Sequence, residues 1–292
     1  MLPSNSAQRF AAILLTVILL GNRPTAAQNP TALDAARAME KVFVDCIAQA
    51  EKSVVAIARV RKGGFGLGGG DVEERLRLDR RRFGAVDPEP TNPDFVPNEF
   101  ATGVVIDRNG HILTNYHVLG DPEENEYFVW IQRRPYQVTE VFVPEKVMAG
   151  DPWTDLAVLK IDANNLEPMK MGDASTLRKG MIVIALGNPY AIARDGDVSA
   201  SWGMISNLNR SVAARSRGPQ PESERSSLHQ FGTLIQTDAK LNLGTSGGAL
   251  VNLDGEMIGL TTSLAAVEGF EQAAGYAIPV DEAFRKTVDT LK

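Results

Sequence analysis

Cysteine is nearly absent from this 292-residue chain, where Cys46 stands alone. No internal disulfide can form even in an oxidising compartment, and no metal site can rest on paired thiolates. Histidine is scarce as well, with three residues at positions 111, 117 and 229, so any chemistry that needs an imidazole must draw on these. No apolar run reaches the roughly 20 residues of a membrane-spanning helix; the run from Phe10 to Leu20 has eleven. Positive charge is in deficit too: 30 Lys and Arg against 36 Asp and Glu give a net −6, which argues against nucleic acid as a partner.

The short run lies within "QRFAAILLTVILLGNRPTAAQ", behind Arg9 and ahead of small residues up to Ala27. That layout is expected of a cleavable export signal over residues 1–27, with an uncleaved membrane anchor as the alternative. Cleavage after Ala27 puts Thr25 at the minus-three position and removes Arg9 and Arg23 with no acidic residue. It leaves 28 basic against 36 acidic side chains, a charge of −8. A periplasmic or secreted location follows, and an exported chain without disulfides must hold its fold by core packing. Residues 28–292 are long enough to bury a large core.

What the chain has in plenty is short apolar runs punctuated by 26 glycines and 16 prolines, a pattern of mostly β structure. "ALDAARAMEKVFVDCIAQA", residues 32–50, spaces Ala36, Met39, Phe43, Val44 and Ile47 as one amphipathic helix. The strand "SVVAIARV" follows at once. Lys62 to Asn98, rich in Gly, Pro and Arg, reads as a long surface loop whose arginines form a solvated face, a docking surface for an acidic partner being the alternative. From Phe100 come two series of about six strands, split near residue 165. They predict two β lobes, about 48–165 and 166–280, with a cleft between them, closed by a helix over 281–292 with Phe284, Val288 and Leu291 on one side. Ser211 to Gln230 reads as a long polar loop.

One stretch carries chemistry. In "LNLGTSGGALVN", Ser246 fits both the Gly-x-Ser-x-Gly elbow of α/β-hydrolases and the Gly-x-Ser-Gly-Gly loop of trypsin-like peptidases. The elbow requires a helix after the serine and a catalytic histidine further along the chain. Instead "ALVNLDGEMIGL" reads as a hairpin turning at Asp254-Gly255, and no histidine follows Ser246. The peptidase order is His, Asp, Ser, and His117, Asp155 and Ser246 stand in it, the first two in the first strand series and the serine in the second. A serine hydroxyl is a weak nucleophile at neutral pH. It needs an imidazole to take its proton and a carboxylate to orient that imidazole.

Through "ATGVVIDRNGHILTNYHVL", "DLAVLKID", "ALGNPY", "QTDAKLNLGTSGGALVNLDGEMIGLTT" and "GYAIP", the chain resembles the HtrA (Deg) family of trypsin-like serine proteases from about Ala48 to Val280. The resemblance implies an all-β double β-barrel, cleavage of unfolded or damaged proteins by acyl transfer, homotrimers, and no metal or organic cofactor. It makes His117 the general base and acid, Asp155 its orienting carboxylate and Ser246 the nucleophile, with the N–H groups of Gly244, Thr245 and Ser246 as the oxyanion hole. Leu260, Thr261, Thr262 and Ser263 are expected to pair with substrate backbone, and Lys240 with Leu241 to lie at the specificity pocket.

The pattern departs in places. Thr245 stands where the family usually has Asn, and Ala249 where it commonly has Pro. Lys240 replaces a small or aliphatic residue; pointing inward it would favour an acidic side chain, and strand alternation would instead turn it to solvent. His111 reads as a half-exposed strand residue, His229 as solvated and Trp153 as lobe packing. No PDZ domain is expected in the residues after Val280, so control would fall to loops, with Ser211 to Gln230 as the sensor. A holdase that keeps the protease fold without the activity is the rival reading.

Overall fold

The computed structural model describes residues 31–62, 99–131, 134–144, 155–188, 198–210, 234–242, 244–262 and 275–292. The expected signal, most of the Arg-rich loop, the polar loop Ser211 to Gln230, Trp153, His229 and Ser263 lie outside them. The chain divides into a unit up to Lys41 and a larger one from Val42 onward.

In the first unit, helix α1 (Ala32–Ala50) begins with a reciprocal cap. The Asp34 N–H donates to Thr31 Oγ1 at 3.1 Å and the Thr31 N–H to Asp34 Oδ2 at 3.0 Å, which satisfies two of the donors a helix start leaves over. Where the same helix runs into the second unit it buries Cys46 and Ala50, with Phe43 and Ile47 packed beside them. This corrects the predicted apolar face. Met39 and Val44 are exposed at 45% and 57%, because Phe43, Cys46, Ile47 and Ala50 make a stripe at i, i+3, i+4 and i+7 that leaves both outside it.

The second unit contains two closed barrels of antiparallel strands, the two β lobes that the strand series predicted and the double barrel that the family resemblance implied. The first joins β1 (Val54–Arg61), β2 (Glu99–Val105), β3 (His111–Asn115), β4 (Asn125–Ile131), β5 (Arg134–Phe142) and β6 (Leu156–Ile161) in the order β1-β2-β3-β6-β5-β4. The second repeats that order with β7 (Ile182–Gly187), β8 (Ser199–Arg210), β9 (Leu234–Thr237), β10 (Ala249–Val251), β11 (Met257–Thr262) and β12 (Gly275–Pro279). Closure removes the sheet edges that an open six-stranded sheet would expose.

The run Leu156–Ile161 is apolar throughout except Lys160, and the barrels explain why. Ala157, Leu159 and Ile161 fill the interior of the first barrel, while Leu156 and Val158 point the other way, into a seam shared with the second. The same alternation sends Val105 and Ile112 inward and Val104 and Leu113 to the seam. From the second barrel Ile184, Leu186, Ala249 and Val251 meet them there, while Val183, Ala185 and Leu250 fill its own interior. A strand buried on both faces needs apolar residues at every position, not at every second one.

Helix α2 (Glu282–Leu291) closes over the seam. Asp281 caps it, its side chain accepting the Phe284 N–H at 2.8 Å, and Phe284, Val288 and Leu291 are buried as the spacing predicted. Between β2 and β3 the Asp107 carboxylate organises the turn: Oδ1 accepts the Asn109 N–H at 2.9 Å, and Oδ2 lies 2.6 Å from His111 Nδ1 and 3.8 Å from Lys292 Nζ. His111 is half-buried there, in line with its sequence reading.

Two consequences can be measured. Phe284 is 1% exposed within the seam cluster, so Phe284→Ala should cost about 3 to 5 kcal/mol in urea denaturation. Burial works against the Asp107 charge, but the N–H groups of Asn109 and His111 and the His111 ring outweigh it and hold the carboxyl below its usual range. A carboxyl with a lowered folded pKa stabilises the fold above its unfolded value, and that contribution is lost as pH falls through the folded one. Acidification from about pH 5 to about pH 2.5 should therefore lower the urea midpoint of the parent more steeply than that of Asp107→Asn.

Candidate active site

Strands β3 and β6 pair antiparallel, with Asn115 opposite Leu156. The residue after Asn115 and the residue before Leu156 are thereby brought level, and the Tyr116 N–H donates to the Asp155 carbonyl at 3.0 Å. At this point β3 tightens into a 3-10 turn, Tyr116–Val118, which lifts His117 over the Asp155 side chain. The ring follows the backbone. Asp155 Oδ1 accepts the His117 backbone N–H at 2.9 Å, and both carboxylate oxygens lie 2.9 Å from His117 Nδ1. Asp155 is 5% exposed, so the carboxylate acts with little screening by water. A carboxylate can only accept, which assigns the proton to Nδ1 and makes Nε2 the basic nitrogen. Asn115 Nδ2 adds a bond to the Asp155 carbonyl at 3.2 Å.

Ser246 arrives from the other barrel, just before β10, and is also 5% exposed. Its loop is tied to the first barrel through Thr102 of β2. The Thr102 N–H donates to the Ser246 carbonyl at 2.9 Å, and Thr102 Oγ1 donates to the Gly244 carbonyl at 2.7 Å. The Thr102 carbonyl in turn accepts Thr114 Oγ1 at 2.8 Å. Gly247 has a φ of +83°, and a Cβ there would stand 2.1 Å from the Thr102 carbonyl oxygen and 2.3 Å from Thr114 Oγ1. Thr114 is on the strand that leads into His117, so the nucleophile loop packs directly on the strand that carries the imidazole. A Cβ on Gly248 would lie 2.3 Å from the Leu186 carbonyl oxygen, so the close approach of that strand requires a residue without a side chain.

The three-donor oxyanion hole needs a correction. The Thr245 N–H already donates to the Asn242 carbonyl at 3.1 Å, and Thr245 Oγ1 donates to the same oxygen at 2.6 Å. With that N–H turned into the loop, Gly244 and Ser246 remain as the candidate donors. Gly244 has a φ of +91°, a conformation costly for a residue with a Cβ.

The substrate-pairing segment is also narrower than expected. Leu260 is opposite both Ala249 and Ile278, the Thr261 N–H donates to the Gly248 carbonyl at 2.8 Å, and the Thr261 carbonyl accepts the Gly247 N–H at 2.9 Å. Strands on both sides of β11 engage these two residues, which leaves no ladder for a substrate. Thr262 turns its side chain inward: Oγ1 lies 3.5 Å from Asp155 Oδ2, across the gap between the barrels. Lys240 is exposed on the loop after β9, its carbonyl accepting Ser201 Oγ at 2.8 Å, which agrees with the solvent-facing alternative. Leu241 is half-buried against the second barrel's core and beside Gly275.

Among the described residues no three His, Cys, Asp or Glu side chains gather as a metal site. Thr102 is the site neighbour that sequence reading missed, and Thr261 was expected on substrate backbone and not on the nucleophile loop, since a threonine inside a strand carries no signal of what its hydroxyl touches.

Residues 101–260 match the family model of the trypsin-like peptidase domain. The chain is 30% identical to a probable periplasmic serine endoprotease, DegP-like, of Pseudomonas fulva, over 98% of this chain and 55% of that protein. It is 34% identical to the serine endoprotease DegS of Haemophilus influenzae over 65% of this chain and 49% of that one. The chain thus spans about half the length of these relatives. Among solved structures it is similar to Deg5, with a TM-score of 0.55 at 24% identity over 85% of this chain and 92% of that one, a likeness of fold. The serine endoprotease of Yersinia pestis superposes with a TM-score of 0.53 at 25% identity over 85% and 66%.

The tight seat of Gly247 can be tested on stability alone. Gly247→Ala must absorb both a left-handed backbone and a Cβ driven into Thr102, and should lose about 2 to 5 kcal/mol. Gly180, with a φ of +88° and open space around it, is the control: Gly180→Ala should lose about 1 to 2 kcal/mol in the same urea titration.

Proposed function

The chain belongs to the trypsin-like peptidase domain family, and from that premise we propose that it is an exported, HtrA-type serine endopeptidase that cleaves unfolded or damaged protein. The observation that carries this reading is the clamp of both Asp155 carboxylate oxygens on His117 Nδ1. An imidazole held in that tautomer accepts a proton at Nε2, and the hydroxyl of Ser246 is the proton source the reading assigns to it.

The steps follow from these roles. Ser246 Oγ attacks the carbonyl carbon of the bound peptide while His117 Nε2 takes the hydroxyl proton. The oxyanion that forms is stabilised by the N–H groups of Gly244 and Ser246. As the tetrahedral centre collapses, the peptide C–N bond breaks and the same proton passes from His117 to the departing amine. A water molecule then gives one proton to His117 and attacks the acyl-enzyme ester; the ester bond breaks, that proton passes to Ser246 Oγ, and the carboxylic acid product leaves and ionises in solvent. Asp155 stabilises the charged imidazole throughout.

Export is supported by the apolar run after Arg9 and by the periplasmic naming of relatives. Homotrimeric assembly, carried over from the family resemblance, belongs to the same proposal.

The test is hydrolysis of fluorescein-labelled casein by purified protein beside Ser246→Ala. The parent should release soluble fluorescence at a rate at least about a thousandfold above the variant. Equal rates, with aggregation of the casein suppressed by both proteins, would replace the peptidase by a holdase.

A further inference from the structure

We infer that two buried threonine hydroxyls, Thr102 Oγ1 from the first barrel and Thr261 Oγ1 from the second, are positioning residues of the oxyanion hole: Thr261 fixes the plane that carries the Ser246 N–H, and Thr102 the adjoining Gly244–Thr245 plane. The inference rests on the peptidase reading above and names what makes that hole rigid.

A trans peptide unit is planar, with its carbonyl and its N–H pointing in opposite directions. Holding one end therefore aims the other. The Thr245 carbonyl accepts Thr261 Oγ1 at 2.6 Å and the Gly248 N–H at 2.9 Å, so the plane joining Thr245 to Ser246 is fixed from its carbonyl side. The Ser246 N–H is thereby aimed opposite to the Thr245 carbonyl. Thr261 is 1% exposed, and no bulk water can stand in for its hydroxyl.

The preceding plane, Gly244 to Thr245, is held at both ends. Its N–H goes to the Asn242 carbonyl at 3.1 Å, and its carbonyl accepts Thr102 Oγ1 at 2.7 Å. The direction of the Thr102 bond is forced. The Asn188 N–H donates to Thr102 Oγ1 at 2.9 Å, and a hydroxyl has one proton to give, which goes to the Gly244 oxygen because a carbonyl can only accept. Fixing this plane keeps the Gly244 carbonyl turned toward Thr102. It also sets the reference from which the +91° φ of Gly244 carries its own N–H.

Thr102 and Thr261 touch no reacting atom. They act through backbone donors, whose value to catalysis lies in being in place before charge develops. A valine at either position keeps the shape and removes one of the two bonds that hold each plane, leaving the Gly248 N–H on the Thr245 carbonyl and the Thr245 N–H on Asn242. The donor is then held less firmly, which weakens binding of the transition state with little effect on the ground state.

The experiment compares parent, Thr102→Val, Thr261→Val, Thr102→Ser and Thr261→Ser on fluorescein-labelled casein. It also measures the rate at which diisopropyl fluorophosphate phosphorylates Ser246 Oγ with loss of fluoride, a reaction that needs the oxyanion donors but no specificity pocket. Each valine variant should lose about tenfold to a hundredfold in kcat with KM within about twofold, and labelling should slow by a similar factor. Each serine variant, with the hydroxyl kept and the methyl lost, should recover to within about threefold. Urea denaturation checks that the variants are folded; should a valine variant fail to fold, the alanine variant at that position takes its place.

Valine variants that keep kcat and labelling within about threefold overturn the inference. So does a rise in KM alone, or a loss that serine does not rescue. A parent no faster than Ser246→Ala would instead overturn the peptidase reading on which the inference stands, so the two failures are distinguishable.

Discussion

The placement of Ser246 depends on one contact between the barrels, the seating of Gly247 on the main chain of Thr102. The seam around it is apolar, built from Val104, Leu113, Leu156 and Val158 on one side and Leu186, Ala249, Val251 and Leu260 on the other. Such burial supplies most of the adhesion, but it has no direction, and two greasy faces can slide. Thr102 supplies the register. It gives its N–H to Ser246, gives its hydroxyl proton to Gly244, and accepts the Asn188 N–H and the Thr114 hydroxyl. Thr102 is 0% exposed, and its bonds to Ser246, Gly244 and Asn188 cross between the barrels, so a slip of one barrel past the other would strand several polar groups at once.

That division of labour explains why the candidate triad is drawn from both barrels. The His117–Asp155 pair is a local product of one ladder, β3 against β6, both of the first barrel. The position of Ser246 relative to that pair has no such local guarantee. It is inherited from the Thr102 joint and from Thr262, whose hydroxyl reaches Asp155 from β11 at 3.5 Å. Catalytic geometry tolerates errors well below 1 Å, so a seam held only by side-chain packing would be too loose.

The parts of this arrangement legible in the sequence are those with a short-range signature. Turn residues and apolar runs marked the strands, the spacing of Phe284, Val288 and Leu291 marked helix α2, and the chain order of His117, Asp155 and Ser246 chose the barrel fold over the hydrolase elbow. What escaped has no such signature. In α1 the periodicity was real, but Met39 and Val44 fit it as well as Cys46 did, and the rest of the fold decides which stripe is covered. Leu260 and Thr261 look like any open strand until β10 and β12 are seen on either side. The Thr245 N–H is spent on the Asn242 carbonyl inside its own loop, which residue types do not encode.

Thr102 is the sharpest case. In "ATGVVID" it occupies a strand position where threonine is common for its β-branched shape, and nothing within ten residues hints at a partner. Its bond to Gly244 spans 142 positions. A valine would serve the strand equally well, so local propensity is silent on why a hydroxyl stands there. The reason exists only where the two barrels meet. At Gly247 the same junction was partly visible, because paired glycines beside a serine already imply a close approach. Which chain approaches, and that it is the main chain of the opposite barrel, depends on folding that brings residues 102 and 247 into contact.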